Sequence, residues 1–214
     1  MIKLVIFDLD GTLLNTLEDL KECTNYILRK YHFPEHPLDS YRYFVGNGIP
    51  VLIQKAIPSG TPKEVEVKIL EEFLAYYDLH KADLTAPYPG IVQLLETLQN
   101  KGIQIAVASN KVHDAMAPLM AYYFPKIKFL AAIGNREGIP PKPHPQIVAD
   151  IISMTDFDLS EVLYVGDTKV DMETAHRAQL TAVGVLWGFR DREELEESNA
   201  EYIIGNPKEL LDLL

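Results

Sequence analysis

The amino-acid sequence predicts an α/β fold, a doubly wound and mainly parallel sheet with an all-helical segment inserted near its start. Three observations carry that prediction. Residues 2–7, 103–108 and 162–165 are nearly unbroken apolar runs, the pattern of strands buried on both faces of a parallel sheet. Each run stops in polar residues: Asp8 and Asp10 after the first, Ser109 and Asn110 after the second, Asp167 after the third. Strand and helix patterns alternate between 83 and 214, whereas 16–82 reads as helices alone. The core is therefore assigned to residues 1–15 with 83–214, and the insert to 16–82.

The first strand runs into Asp8-Leu9-Asp10-Gly11-Thr12, two carboxylates two residues apart and a glycine that permits a sharp turn. Ligands of open α/β sheets bind beyond the carboxyl ends of the strands, which puts this turn where chemistry belongs. Asn15 and Thr16 then offer N-caps, with Glu18 and Asp19 three residues on. Leu17, Leu20, Thr24, Ile27, Leu28 and Tyr31 follow at helical spacing, up to a stop before Pro34. A short apolar segment leads from Pro37 to Val45-Gly46-Asn47-Gly48, a loop that either offers backbone N–H groups to a ligand or simply joins helices. Pro50 opens the next helix. Thr61-Pro62-Lys63-Glu64 reads as N-cap, N1 proline and capping glutamate of another, with Val65, Ile69, Leu70, Phe73, Leu74 and Tyr77 inward.

Beyond Pro87-Tyr88-Pro89-Gly90, Ile91, Leu94, Leu95 and Leu98 mark a helix stopped at Gly102, and the second strand then delivers Ser109 and Asn110. A helix from about Val112 is expected to be strained or shortened by Pro118, ahead of a short strand at 129–133. In Pro140-Pro141-Lys142-Pro143-His144-Pro145, four prolines surround one lysine and are expected to hold it near extended geometry before a helix. The strand at 162–165 ends in Gly166-Asp167-Thr168-Lys169-Val170-Asp171. A strand at 181–186, a Glu-rich helix, a strand at 202–204 and a helix after Pro207 complete the sheet.

Composition narrows the partners. With 214 residues and 47% hydrophobic content the chain can build a packed core. Its formal charge of -11 and unclustered lysines argue against a nucleic-acid surface. A small anionic substrate stays possible where a bound cation reverses the local field. No apolar run approaches the ~20 residues of a membrane span. The first apolar segment is too short and ends too acidic for a signal peptide, and the one cysteine, Cys23, cannot form an internal disulfide. The expectation is a cytoplasmic protein, monomer or homodimer, with no nucleic-acid or membrane partner.

Asp8, Asp10 and Asp167 on one rim, with Ser109, Asn110 and Lys142 beside them, make a set with a chemical logic. Converging carboxylates repel unless a cation joins them, and an all-oxygen set suits Mg²⁺. One carboxylate can attack phosphorus and give an aspartyl phosphate. A second, two residues on, can protonate the leaving oxygen and later take a proton from water. A hydroxyl, backbone N–H groups and an ammonium would hold the phosphoryl oxygens.

Phe7-Asp8-Leu9-Asp10-Gly11-Thr12-Leu13, Ser109-Asn110, Lys142-Pro143 and Gly166-Asp167 with Asp171 resemble, in order, the four motifs of the haloacid dehalogenase (HAD) superfamily. Val45-Gly46-Asn47-Gly48, Tyr88-Pro89-Gly90, Ser109-Asn110-Lys111 and Trp187-Gly188-Phe189-Arg190 look most like its phosphoglycolate phosphatase branch. The resemblance implies a Rossmann-like core and makes the insert a cap that closes over the substrate. It implies Asp8 as nucleophile, Asp10 as general acid/base, and Asp8, the Asp10 carbonyl and Asp167 as Mg²⁺ ligands. Ser109, Asn110 and Lys142 would bind the phosphoryl group, and Asp171 would support the ligands. Asn15 and Gln179 depart from the family pattern, where relatives often carry Asp and Gly. The implied activity is a phosphomonoesterase acting on a small phosphorylated metabolite such as 2-phosphoglycolate. The alternatives are a sugar phosphomutase like β-phosphoglucomutase and, from another class, a phospho-accepting receiver module. Asp10 argues against a haloalkanoic acid dehalogenase.

Other residues read as scaffold. His144 is a loop or first-turn helix group, His32 and His36 are surface, and Tyr76, Tyr77 and Trp187 are packing. His113 and His176 fall on helices just past motif residues. The Glu193, Glu194, Glu196 and Glu197 run reads as a solvated helix face.

Overall fold

The computed structural model describes residues Met1–Leu214. The chain divides into two compact units, Met1–Leu14 with Pro87–Leu214 and Asn15–Ala86. The strands are β1 (Leu4–Phe7), β2 (Leu14–Asn15), β3 (Ala86–Pro87), β4 (Gln104–Val112), β5 (Ala131–Asn135), β6 (Val162–Gly166), β7 (Thr181–Val185) and β8 (Tyr202–Ile204). The short β2 and β3 mark where the chain passes between the units. The other six form one parallel sheet in the order β5-β4-β1-β6-β7-β8. Strand order runs away from β1 in both directions, so the switch point of the winding lies at its carboxyl end.

The helices are α1 (Leu17–Lys30), α2 (Leu38–Phe44), α3 (Ile49–Ala56), α4 (Lys63–His80), α5 (Ile91–Asn100), α6 (His113–Tyr123), α7 (Gln146–Ile152), α8 (Lys169–Arg177) and α9 (Arg192–Glu197). Alternation along each strand explains the two layers of helix. Val5, Phe7, Val107 and Val165 pack on Leu94 and Leu98 of α5 and Met116 and Leu119 of α6. Leu4, Ile6, Ala106 and Tyr164 pack on Ile147 and Ile151 of α7, Met172 and Ala175 of α8 and Leu195 of α9. Both faces of β1 are thereby buried, which is why its sequence carries no polar alternation. No helix is long and apolar enough to cross a membrane.

Several elements differ from the sequence reading. Pro118 lies inside α6 without ending it, because the backbone bond it forfeits would reach Asp114, on the exposed side of the first turn. The short strand falls at Ala131–Asn135, two residues later than expected, and Pro207–Leu213 is 3₁₀ rather than α-helical. Residues 38–44, expected as a short apolar segment, form the helix α2.

In the helical unit, Leu17, Leu20, Thr24, Ile27 and Leu28 of α1 and Ile69, Phe73 and Tyr77 of α4 are buried, as their spacing requires, whereas Leu74, expected inward, is exposed. Of the capping residues expected, Asn15 does accept from Leu17 N at 3.4 Å, but the two threonines do not cap. Thr16 makes no side-chain cap bond, and Thr61 Oγ1 donates to Pro58 O instead of capping α4. His36 is not a surface residue. Asn25 brackets its backbone, accepting from His36 N at 3.1 Å and donating to His36 O at 3.0 Å, and its ring Nε2 lies 2.8 Å from Ala56 O. Cys23 is buried, which pushes its thiol up to about 12 and leaves it inert.

Asp19, expected in a capping box, closes the unit instead. Its carboxylate accepts from Leu84 N at 2.9 Å, Thr85 N at 2.8 Å and Thr85 Oγ1 at 2.7 Å, and the residue is 2% exposed. Asp19→Ala strands the buried N–H and hydroxyl of Thr85 and the partly buried Leu84 N–H, so it is expected to cost about 3 kcal/mol in urea unfolding and to lower Tm. A loss below about 0.5 kcal/mol, the scale of a surface change, would refute this anchoring role.

Candidate active site

The ladder between β1 and β6 continues one residue past the strand, through Asp8 N to Val165 O at 2.9 Å, and so fixes the backbone of Asp8 at the switch point. The chain then turns tightly. Thr12, Leu13 and Leu14 N–H groups all converge on Leu9 O, and Gly11 takes φ +94°. A side chain at Gly11 would collide with the Asp167 carboxylate, so the turn needs glycine for its conformation and for its closeness.

Lys142 joins the acids. Its Nζ lies 2.8 Å from Asp8 Oδ1, 2.8 Å from Asp171 Oδ1 and 2.9 Å from Ala108 O, with Tyr164 Oη at 3.1 Å. An ammonium has three hydrogens, so these acceptors consume it. The loop that carries it is a turn, with His144 N donating to Pro141 O at 2.9 Å, and not the extended run expected from its prolines. Asn110 pins this loop. Its amide donates to Lys142 O at 3.1 Å and accepts from Lys142 N at 2.8 Å. The side chain of Asn110 thus serves the lysine's main chain.

Asp167, fully buried at the end of β6, accepts from Thr12 Oγ1 at 3.2 Å and from Phe189 N at 2.8 Å. Trp187 packs against the core and donates to Thr12 O at 3.0 Å, tying the loop after β7 to the first turn. Asp171 caps its own helix, accepting from Thr168 N at 3.1 Å and Thr168 Oγ1 at 2.7 Å through Oδ2. Its other oxygen meets Lys142.

β4 delivers the remaining groups through an irregularity. Ala108 faces Ile133 and Val112 faces Asn135, so Ser109, Asn110 and Lys111 oppose the single residue Gly134. A side chain at Gly134 would collide with Lys111 O and His113 Cα, and Gly134 N donates to His113 Nδ1 at 3.1 Å. All three bulge residues are buried. Ser109 Oγ accepts from Lys111 N at 3.2 Å, and Lys111 Nζ lies 3.3 and 3.4 Å from the two oxygens of Asp10.

The cluster is strongly charged. Oxygens of Asp8, Asp167 and Asp171 lie within 4.8 Å of one another, all buried. Burial pushes the Asp8 carboxyl up to about 7 against the opposing pull of Lys142. Burial, then the charges of Asp171 and Asp8, hold Asp167 well above the usual carboxylate range. Burial works against the charge of Lys142, but Asp171 and Asp8 raise it well above its ordinary value. Three carboxylates face one ammonium, and hard oxygen donors in buried excess fit a divalent cation of the Mg²⁺ type.

The structure thus gathers Asp8, Asp167, Asp171 and Lys142, and sets Asp10, Ser109 and Asn110 on the adjoining turn and bulge. The Asp10 carboxylate stands apart from the acid triad, beside Lys111. Sequence reasoning assigned no role to Thr12, Lys111, Tyr164 or the Phe189 N–H. Lys111 follows directly on Ser109-Asn110, and Tyr164 is the one hydroxyl in an apolar run, so both had a signal; a backbone N–H has none. His144 is exposed and accepts from Gln146 N at 3.2 Å, a first-turn helix contact as expected.

A family model for haloacid dehalogenase-like hydrolases matches residues 5–185. The phosphoglycolate phosphatase of Haemophilus influenzae is 33% identical over 219 aligned positions, which cover 99% of this chain and 98% of that one. A crystal structure from Lactobacillus delbrueckii subsp. bulgaricus, provisionally assigned as a phosphoglycolate phosphatase, superposes with a TM-score of 0.92 at 28% identity, covering 99% of this chain and 97% of the other. A Haemophilus somnus structure with the same provisional assignment gives a TM-score of 0.92 at 26% identity, again over 99% and 97%. The chain belongs to the haloacid dehalogenase-like hydrolase family.

Proposed function

We propose that this protein is a Mg²⁺-dependent phosphomonoesterase that hydrolyses a small phosphorylated metabolite through an aspartyl phosphate on Asp8. The observation that carries the reading is the pairing of Asp8 with the buried Lys142 ammonium at 2.8 Å, with a second carboxylate, Asp10, on the same turn. A nucleophile needs an aimed, ionised carboxylate, and Lys142 favours both conditions.

In the proposed reaction an Asp8 oxygen forms a bond to phosphorus as the ester P–O bond breaks, and Asp10 gives its proton to the departing oxygen. Asp10 then takes a proton from water, the water oxygen bonds to phosphorus, and the P–O bond to Asp8 breaks, restoring the carboxylate and releasing inorganic phosphate. The Ser109 hydroxyl, in the bulge beside this turn, is assigned to the phosphoryl oxygens. Asp8 and Asp167, with the Asp10 carbonyl, would hold the cation, and Asp171 and Lys142 would steady them. When bound, Mg²⁺ would neutralise the surplus carboxylate charge and orient the phosphoryl group. The names of the full-length relatives support 2-phosphoglycolate as substrate, and the helical unit is assigned the part of the cap.

Asp8→Asn is expected to abolish phosphate release with an unchanged circular dichroism spectrum, and retained activity would remove the nucleophile. Asp10→Asn should slow turnover by about 10²- to 10⁴-fold. A panel of phosphoglycolate, sugar phosphates, nucleotides and pyrophosphate should yield inorganic phosphate, fastest from phosphoglycolate. An isomerised sugar phosphate in place of inorganic phosphate would point to a mutase.

The cation can be tested by stability. Asp8 rises from 3.8 to about 7 on folding, so the stability linked to its neutral form is present at acid pH and lost as pH rises through about 7. Saturating Mg²⁺ should therefore raise Tm more at pH 8 than at pH 5.5, and EDTA should silence turnover. An equal Tm shift at both values would contradict the assignment.

A further inference from the structure

Lys111 is brought to Asp10 by a built feature of the sheet. The β4 bulge sets three residues against Gly134, and any larger residue there would strike the Lys111 carbonyl. A bulge of this kind re-aims side chains, and here it sends the Lys111 side chain, 3% exposed, to the Asp10 carboxylate. Burying a lysine costs hydration of its ammonium and the freedom of a long stem. Its Nζ is nearly equidistant from the two Asp10 oxygens, at 3.3 and 3.4 Å, while the Asp10 side chain itself remains 21% exposed. A carboxylate on a turn, open on one side to solvent, has several staggered orientations, and this contact selects one.

We propose that Lys111 is a positioning residue for proton transfer, holding the Asp10 carboxylate at the angle from which it serves the leaving oxygen and then water. The proposal rests on the reading of Asp10 as acid/base. Lys142 meets Asp8 and Asp171, so the two buried lysines divide the work: one aims the nucleophile and the other aims the proton carrier.

Leaving groups separate this role from a structural one. An alkyl phosphate needs a proton on its departing oxygen, whereas p-nitrophenolate leaves without one. Single-turnover rates for 2-phosphoglycolate and p-nitrophenyl phosphate should be compared in the parent, Lys111→Met, Lys111→Arg, Asp10→Asn and the Lys111→Met/Asp10→Asn double variant. Lys111→Met is expected to slow the alkyl ester about ten- to a hundredfold more than p-nitrophenolate release, Lys111→Arg to recover most of the loss, and the double variant to match Asp10→Asn. Equal slowing of both esters, a rise in KM with unchanged kcat, or losses that multiply in the double variant would overturn the assignment. If Asp10→Asn itself costs the alkyl ester nothing, the acid/base reading fails and takes this one with it. If Asp10→Asn slows the ester while Lys111→Met does not, only the role of Lys111 falls.

Discussion

The contact on which the site depends is the one between the Lys142 ammonium and the carboxylates of Asp8 and Asp171, each at 2.8 Å and nearly sealed from water. Burying such charges is costly, and their attraction offsets that cost only with near-ideal geometry and every hydrogen bond satisfied. Here the ammonium is fully engaged, its main chain is clamped by Asn110, and Asp171 is fixed from its other side by Thr168. Asp167 completes the buried acids, held by a hydroxyl and a backbone N–H, with the charge of Arg190 the weakest influence on it. The three carboxylates outnumber the one ammonium by two, the charge a divalent cation would supply, and the cluster lies at the switch point of the sheet.

Backbone geometry makes this density of charge possible. β1 brings Asp8 to the rim, and Gly11 and Gly188 let backbone lie where a side chain would strike Asp167. Gly166 does the same beside Asp171. The β4 bulge turns three consecutive polar residues inward, which a regular strand with its twofold alternation cannot do. The same bulge supplies Ser109, the clamp on Lys142 and the lysine at Asp10, so proposed phosphoryl contact, nucleophile support and proton transfer all hang on one irregularity opposite Gly134.

Strand positions were legible because burial on both faces leaves an apolar signature, as at residues 4–7 and 162–165, and because each run broke off in a carboxylate or hydroxyl. The convergence of Asp8 and Asp167 followed from strand ends sharing a rim, and Lys142 came to them from the loop before α7. Local capping was not legible. Asp19 looked like an N-terminal capping acid and is used instead by Leu84 and Thr85, a tertiary partnership more than sixty residues away in sequence that spacing does not encode. α2 was not legible because its stretch reads only as a short apolar segment, and with Tyr41 alone buried it carries no helical stripe of apolar residues. The placement of Lys111 beside Asp10 depends on a bulge, and although Lys111 directly follows Ser109-Asn110, nothing in that order announces the bulge.

In the proposed mechanism a divalent cation completes the charge balance of Asp8, Asp167 and Asp171. Titration with Mn²⁺, followed by electron paramagnetic resonance, tests it directly. The expected result is one ion per chain, displaced by Mg²⁺, with affinity lost in a folded Asp167→Asn variant. No saturable binding to the parent, or unchanged binding in that variant, would contradict it.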